Sequence, residues 1–301
     1  MWAFSEIIKP CPGWNGGIVL FSALHRRTLT LSLALTAGIC VLVAGTQAHA
    51  VLYASDNFDT YAPGSNLIGA SDGSGWDTAW AGAASPASTV EALNLNPGSG
   101  NAAQVVNGTT ASIDSILSRG LNDISGSPVY VSLLVQVANF NTGSDFVMFQ
   151  LTDGAIGNAG QALGFGVLNA AGNPFFARSG SSAGATDPAS TLAVGGQTYH
   201  LVAKISQQGG EYERIDLFID PASTVEPVTP DATAINTGVN LTNLSLFNIR
   251  TANLESGDVI RFDEIRIAST FAEAVGVPEP ATLAMMGFAA LSVLRRRQRA
   301  L

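Results

Sequence analysis

Glu211-Tyr212-Glu213-Arg214-Ile215-Asp216 is the stretch of this 301-residue chain whose spacing most invites a catalytic reading. Retaining glycoside hydrolysis needs two carboxyl groups about 5–5.5 Å apart, flanking the scissile bond. On a strand, side chains alternate between faces, so Glu211 and Glu213 share one face and Asp216 falls on the other. The run starts beside Gly209-Gly210, a turn signal, and solvated hairpin charge accounts for it better than acid–base chemistry does. Trp76 and Trp80 could form a platform on which sugar rings stack, although large aromatics near a domain entry more commonly pack inward. His200 is the only histidine between residues 51 and 276, and the only cysteines, Cys11 and Cys40, lie before that span. One imidazole and no thiolate cannot make the usual zinc sets or a cysteine nucleophile. His200, in a strand beside Tyr199 and Leu201, reads as structural. Asp72, Asp77, Asp145 and Asp153 sit in Gly-rich turns, where aspartate commonly caps its own backbone. Such oxygen donors leave room for one structural calcium ion, but no Asp-x-Asp-x-Asp-Gly loop gathers them. No catalytic residue and no metal ligand is assigned.

These residues must be positioned by strands. Between residues 51 and 276, short apolar or alternating runs are separated by Gly, Asn, Asp, Ser and Pro clusters, the pattern of an all-β sandwich or barrel. Strands are expected over 129–137, 146–151, 164–168, 175–178, 199–206, 213–219, 244–249 and 259–267, with a hairpin around Gln207-Gln208-Gly209-Gly210. In the last strand, strict alternation puts Phe262, Glu264 and Arg266 on one face and Asp263, Ile265 and Ile267 on the other. The 226 residues of this body suffice for one large domain held by its core, without disulfides. They carry 21 acidic and seven basic residues, a net charge of −14. So acidic a body lacks the basic footprint that nucleic-acid phosphates demand, and nucleic acid is excluded as a partner.

Both ends of the chain speak of export. Arg26-Arg27 precede an apolar stretch from Leu29 to Ala44, followed by Ala48-His49-Ala50, and these three parts make a secretory signal peptide with cleavage before Val51. At the other end, Val277-Pro278-Glu279-Pro280 leads into an uncharged apolar run to Leu294, closed by Arg295, Arg296, Arg297 and Arg299. Pro280 can open a helix, where its missing N–H would be unpaired anyway. From there to Leu294, at ~1.5 Å per residue, a helix spans roughly 22 Å, and snorkelling arginines with local thinning bring it to a bilayer of about 30 Å. The arginines would stay cytoplasmic, with the body outside.

Motif, apolar helix and arginine cluster, in that order over residues 277–301, resemble the PEP-CTERM sorting signal of bacterial exported proteins. That resemblance implies recognition by a membrane processing enzyme, an exosortase, transient inner-membrane anchoring, and delivery to the envelope, surface or matrix. Within the body, three stretches resemble concanavalin A-like (laminin G-like) jelly-roll domains: Ser55 to Ser65 with Gly75-Trp76, Thr198 to Ile205 continued by Leu217 to Pro221, and Phe262-Asp263-Glu264-Ile265-Arg266-Ile267. This second resemblance implies a two-sheet antiparallel sandwich over residues 51–276 with its first and last strands adjacent. Glucanases of that fold carry Glu-x-Asp-x-Glu or Glu-x-Asp-x-x-Glu, and Glu211-x-Glu213-x-x-Asp216 departs from both. The chain therefore reads as a signal segment (1–50), a jelly-roll body (51–276) and a sorting tail (277–301) with a single transmembrane helix. The expected function is that of an exported, non-catalytic surface or exopolysaccharide-matrix protein with a structural, adhesive or glycan-contacting role. A dedicated carbohydrate-binding module and a divergent glycoside hydrolase are the alternatives.

Overall fold

A computed structural model describes residues 50–276, apart from 83–86, 94, 96–99, 108–112, 141–144, 155–160, 170–171 and 181–183. These described residues belong to one compact unit, and the unit of residues 1–49 lies outside them. So do Ala48, the Val277–Pro280 motif, the apolar run after it and the arginines at 295–297 and 299.

Among the described residues, fifteen antiparallel strands build two sheets of a jelly-roll sandwich. The strands are β1 (Leu52–Asp56), β2 (Ala81–Gly82), β3 (Ala87–Glu91), β4 (Ala102–Val106), β5 (Ile113–Ile124), β6 (Val129–Asn139), β7 (Phe146–Thr152) and β8 (Leu163–Leu168). They continue as β9 (Pro174–Ser179), β10 (Ala185–Leu192), β11 (Thr198–Gln208), β12 (Glu211–Ile219), β13 (Ala232–Ile235), β14 (Leu244–Leu254) and β15 (Val259–Ala268). An eight-stranded sheet runs β13-β12-β11-β6-β15-β4-β3, with β1 also paired to β15, and a seven-stranded sheet runs β10-β9-β8-β7-β14-β5-β2. First and last strands are thus neighbours, with Ser55 opposite Arg266. Gly209 and Gly210, at φ 69° and 103°, make the β11–β12 turn that a side chain would strain.

Alternation decides which side of each strand enters the core. Val147, Phe149 and Leu151 of β7 point inward, as do Phe247 and Ile249 of β14 and Leu201, Ala203 and Ile205 of β11. Each such large apolar side chain contributes roughly 1.5–3 kcal/mol by leaving water, and Phe58, Phe149, Phe165 and Phe262 join neighbours in tilted or edge-on ring contacts at 5.6–6.3 Å. In β15 the strict alternation expected above fails. Phe262, Ile265 and Ile267 all enter the core, because the register slips between Asp263 and Arg266 and Glu264 takes a positive φ of 52°. An extra residue in one strand of an antiparallel pair resets the phase after it. After β15, helix α1 (Phe271–Ala274), capped by Thr270, packs Phe271 edge-on against Tyr130 and Phe218 on the outer side of the eight-stranded sheet.

The entry of the chain is pinned by a buried ion pair. Arg119 Nη1 lies 2.5 Å from Asp56 Oδ2, and both side chains are 1% exposed. Tyr61 Oη (2.9 Å), Trp80 Nε1 (3.2 Å) and the Phe58 N–H (3.1 Å) also donate to Asp56. Arg119 donates further to the carbonyls of Thr78 and Asp72 and lies over the Trp76 ring at 4.8 Å. Burial pushes the Asp56 carboxyl up, and its donors and Arg119 pull it back.

Candidate functional site

The carboxylates of β12 do not converge. A register slip near Ser206 and Gln207 lets Tyr212 and Ile215 both enter the core. Asp216 is engaged by Arg214 at 2.8–3.0 Å and by Thr233 Oγ1 at 2.7 Å. Glu213 contributes its backbone carbonyl to Ser179 Oγ. Trp80 is packed in the core and donates to Asp56, so it offers no face to a sugar. Half-buried Trp76 donates from Nε1 to the Ser55 carbonyl and packs against Trp80 and Phe247. Of the turn aspartates, Asp72 gives its carbonyl to Arg119 and Tyr61, Asp77 and Asp153 are exposed, and Asp145 is buried and accepts from Asn169 Nδ2. Among the described residues no three His, Cys, Asp or Glu side chains are grouped to hold a metal ion.

His200 has a partner that its sequence position does not disclose. On the outer side of the eight-stranded sheet, its Nε2 lies 2.7 Å from Ser132 Oγ, beside a groove of ≈ 320 Å³ that Glu264, Arg266 and Gly276 also line. A serine within reach of a histidine is half of a nucleophilic device. The orienting carboxylate is not on the imidazole, since Asp220 Oδ1 accepts the His200 backbone N–H at 2.7 Å. Ser132 is itself buried in mid-strand, paired on both sides with Val202 and Arg266. Burial holds His200 below its ordinary range, against the pull of Asp220. The pair reads as a part-buried structural hydrogen bond at the edge of the groove.

The outer face of the seven-stranded sheet is different in kind. Cross-strand register aligns Arg178 (β9), Gly164 (β8), Gln150 (β7), Asn248 (β14) and Ser118 (β5) in one row that crosses the sheet. The adjoining row is Phe176, Gly166, Met148, Arg250 and Ile116. Their strand neighbours Ala177, Phe149, Ile249 and Leu117 belong to the core, so both rows face away from it. Asn248 is 0% and Gln150 2% exposed, yet neither polar atom of the Asn248 side chain, nor Gln150 Nε2, has a hydrogen-bond partner. Buried polar groups are nearly always satisfied, and an orphan costs about 1–3 kcal/mol. Half-buried Arg178 and Arg250 sit over the same Phe146 ring, at 5.7 and 4.8 Å, and Arg178 also lies over Phe176 at 5.1 Å. The sequence gives little sign of this row, because its members come singly from five strands and only the register unites them.

Residues 276–298 match the PEP-CTERM protein-sorting motif. No curated protein sequence matches this chain. Among solved structures, the chain is similar to an endo-β-1,4-glucuronan lyase from the fungus Trichoderma reesei, at 12% identity and a TM-score of 0.47 over 74% of this chain and 98% of that one. It is also similar to domain 4 of an extracellular arabinanase from Geobacillus stearothermophilus, solved with arabinotriose, at 15% identity and a TM-score of 0.43 over 75% and 99%. Peanut lectin is a third, at 10% identity and a TM-score of 0.43 over 73% and 97%. At such identities these likenesses concern the fold alone. Sandwich and tail together define an exported β-sandwich protein sorted to the cell envelope. Its tail carries the exosortase recognition signal.

Proposed function

We propose that this chain is an exported, non-catalytic glycan-contacting protein of the cell surface or exopolysaccharide matrix, and that the outer face of the seven-stranded sheet makes the contact. The observation that carries this reading is the buried, unpartnered Asn248 amide beside the unpartnered Gln150 Nε2, side by side on β14 and β7. An amide offers a donor and an acceptor together, which suits sugar hydroxyls. With Asn248 0% and Gln150 2% exposed, contact requires the groups that cover this face to move aside. The absence of catalysis is supported by Asp216 being committed to Arg214 and by Asp220 being engaged away from the His200 ring.

The processing steps belong to the same proposal. Val51 is 45% exposed and precedes β1, so cleavage between Ala50 and Val51 leaves the sheet whole. The described residues run to Gly276, after α1, and the motif, transmembrane helix and arginines that follow in sequence are the part an exosortase would remove. A glycan array probed with the full-length protein tests the reading. Retention of a polysaccharide by the wild type and its loss in Asn248→Val and Gln150→Met is the expected result. Equal retention by both variants, or steady release of reducing sugar from the bound glycan, would contradict it.

A further inference from the structure

We propose that the groove beside His200 is a docking surface for the exosortase, so that the enzyme reads the folded body together with the motif. The proposal rests on the sorting reading and adds a second contact to it, continuous with the first.

Chain connectivity is the first support. Gly276, the last described residue, lines the groove together with Val275, Leu134, His200, Glu264 and Arg266. The sorting motif, matched over residues 276–298, begins at that same residue. A chain advances at most about 3.6 Å per residue, so Val277 to Pro280 reach no further than roughly 14 Å from Gly276. An enzyme that takes those residues into its own cleft is thereby brought up to this face of the eight-stranded sheet.

The second support is that the body fixes the point at which the motif starts. A helix of four residues, as α1 is, has no stability of its own. It is held to the sheet by Phe271, whose ring meets Tyr130 at 5.9 Å and Phe218 at 5.6 Å. Arg266 Nε donates to the Glu273 carbonyl at 3.1 Å, and the guanidinium pairs with the Glu273 carboxylate at 3.5 Å. The Val275 N–H donates to the Phe271 carbonyl at 3.0 Å and the Gly276 N–H to that of Glu273 at 3.2 Å. Gly276 takes a φ of 91°, which a side chain would strain. These contacts hold the first residue of the motif beside the groove.

The groove itself is the third support. Its wall includes Glu264, at a φ of 52° in the bulge between Asp263 and Arg266. A non-glycine residue in that region is strained, and such bulges re-aim side chains at sites of contact. Half-buried Leu134 lies opposite His200 in the register and gives the groove an apolar centre. Ser132, His200, Glu264 and Arg266 surround it with polar groups. An apolar centre within a polar rim is the make-up of a protein–protein contact. It fits an enzyme loop that carries one apolar side chain between hydrogen-bonding ones.

The test follows precursor processing by pulse-chase in cells that hold the full-length chain and its exosortase. Wild type is compared with a flexible Gly-Ser insertion of about six residues between Gly276 and Val277, with Glu264→Gly, with Leu134→Arg, and with alanine at Pro278, Glu279 and Pro280. Glycine adopts the backbone of position 264 without strain, so Glu264→Gly removes the groove wall and keeps the fold; thermal melts of the purified full-length variants verify it. The insertion, Glu264→Gly and Leu134→Arg are each expected to slow processing about five- to tenfold with the motif intact, because one of two linked contacts is uncoupled or lost. Wild-type rates in all three, with the alanine variant blocked, would overturn the docking surface and leave the sorting reading standing. A slow insertion variant with normal Glu264→Gly and Leu134→Arg would overturn the groove as the contact. Normal processing of the alanine variant would overturn both.

Discussion

Replacing Asn248 by valine removes two buried polar atoms that have no partner and puts a strand-favouring apolar side chain in their place. An unsatisfied buried group costs about 1–3 kcal/mol, whereas an apolar replacement of similar size is close to neutral or favourable. Asn248 is 0% exposed, so little of that cost is returned by water. Asn248→Val is therefore expected to stabilise the body by about 1–3 kcal/mol. For a domain of some 200 residues, that raises the melting temperature by roughly 3–10 °C. Gln150→Met, which removes one orphan donor, should act in the same direction and less strongly. Urea unfolding and calorimetry on wild type and variants measure the effect, and the glycan array reads binding in the same samples. Stability should rise while binding falls, the trade made by a site that keeps polar groups for a ligand. A loss of 1 kcal/mol or more in Asn248→Val would refute the reasoning, because it would mean that the amide is satisfied in the free protein and holds the sheet together.

Three further outcomes are expected. Arg119→Met leaves Asp56 buried without its cation, and should cost about 3–5 kcal/mol in chemical denaturation; a loss under about 1 kcal/mol would contradict the role given to that pair. Burial, then the nearby charges of Glu264, Asp59 and Asp56, against the Glu264 N–H bond, push the Asp263 carboxyl up to about 8. The native state then holds a proton that the unfolded chain releases near pH 4, so stability should fall as pH rises towards 8, by about 1 kcal/mol per unit. Asp263→Asn should abolish that dependence between pH 7 and 8.5, a window above the titration of His200, and a flat wild-type profile there would contradict it. Replacing Pro278, Glu279 and Pro280 by alanine should leave full-length precursor in the inner membrane on immunoblots of cell fractions, and unchanged processing would oppose the sorting proposal.

How far the sequence could be read depended on how local each signal is. The central strands were legible because Val129 to Val137 and Tyr199 to Ser206 carry long apolar or alternating runs, and each appears within a few residues of its expected bounds. Short or polar strands such as Ala87–Glu91, Ala185–Leu192 and Ala232–Ile235 lack that signal and are stabilised by their neighbours in the sheet. The bulges at Asp263-Glu264 and near Glu213 were not legible, since one extra residue leaves no mark in composition yet turns every later side chain over. Trp80 showed its aromatic bulk but not the Asp56 and Arg119 that hold it in the core. Arg178, Gln150, Asn248 and Arg250 lie up to 100 residues apart in sequence, and only antiparallel register brings them to one face.

The location of the contact face is tested most directly by hydrogen–deuterium exchange of the full-length protein with and without the polysaccharide retained on the glycan array. Slower exchange should concentrate in residues 146–152, 163–168, 174–179 and 244–254, the strands that carry the Arg178–Asn248 row. Protection centred instead on the Ser132–His200–Arg266 groove of the opposite sheet, with those four strands unchanged, would contradict the account.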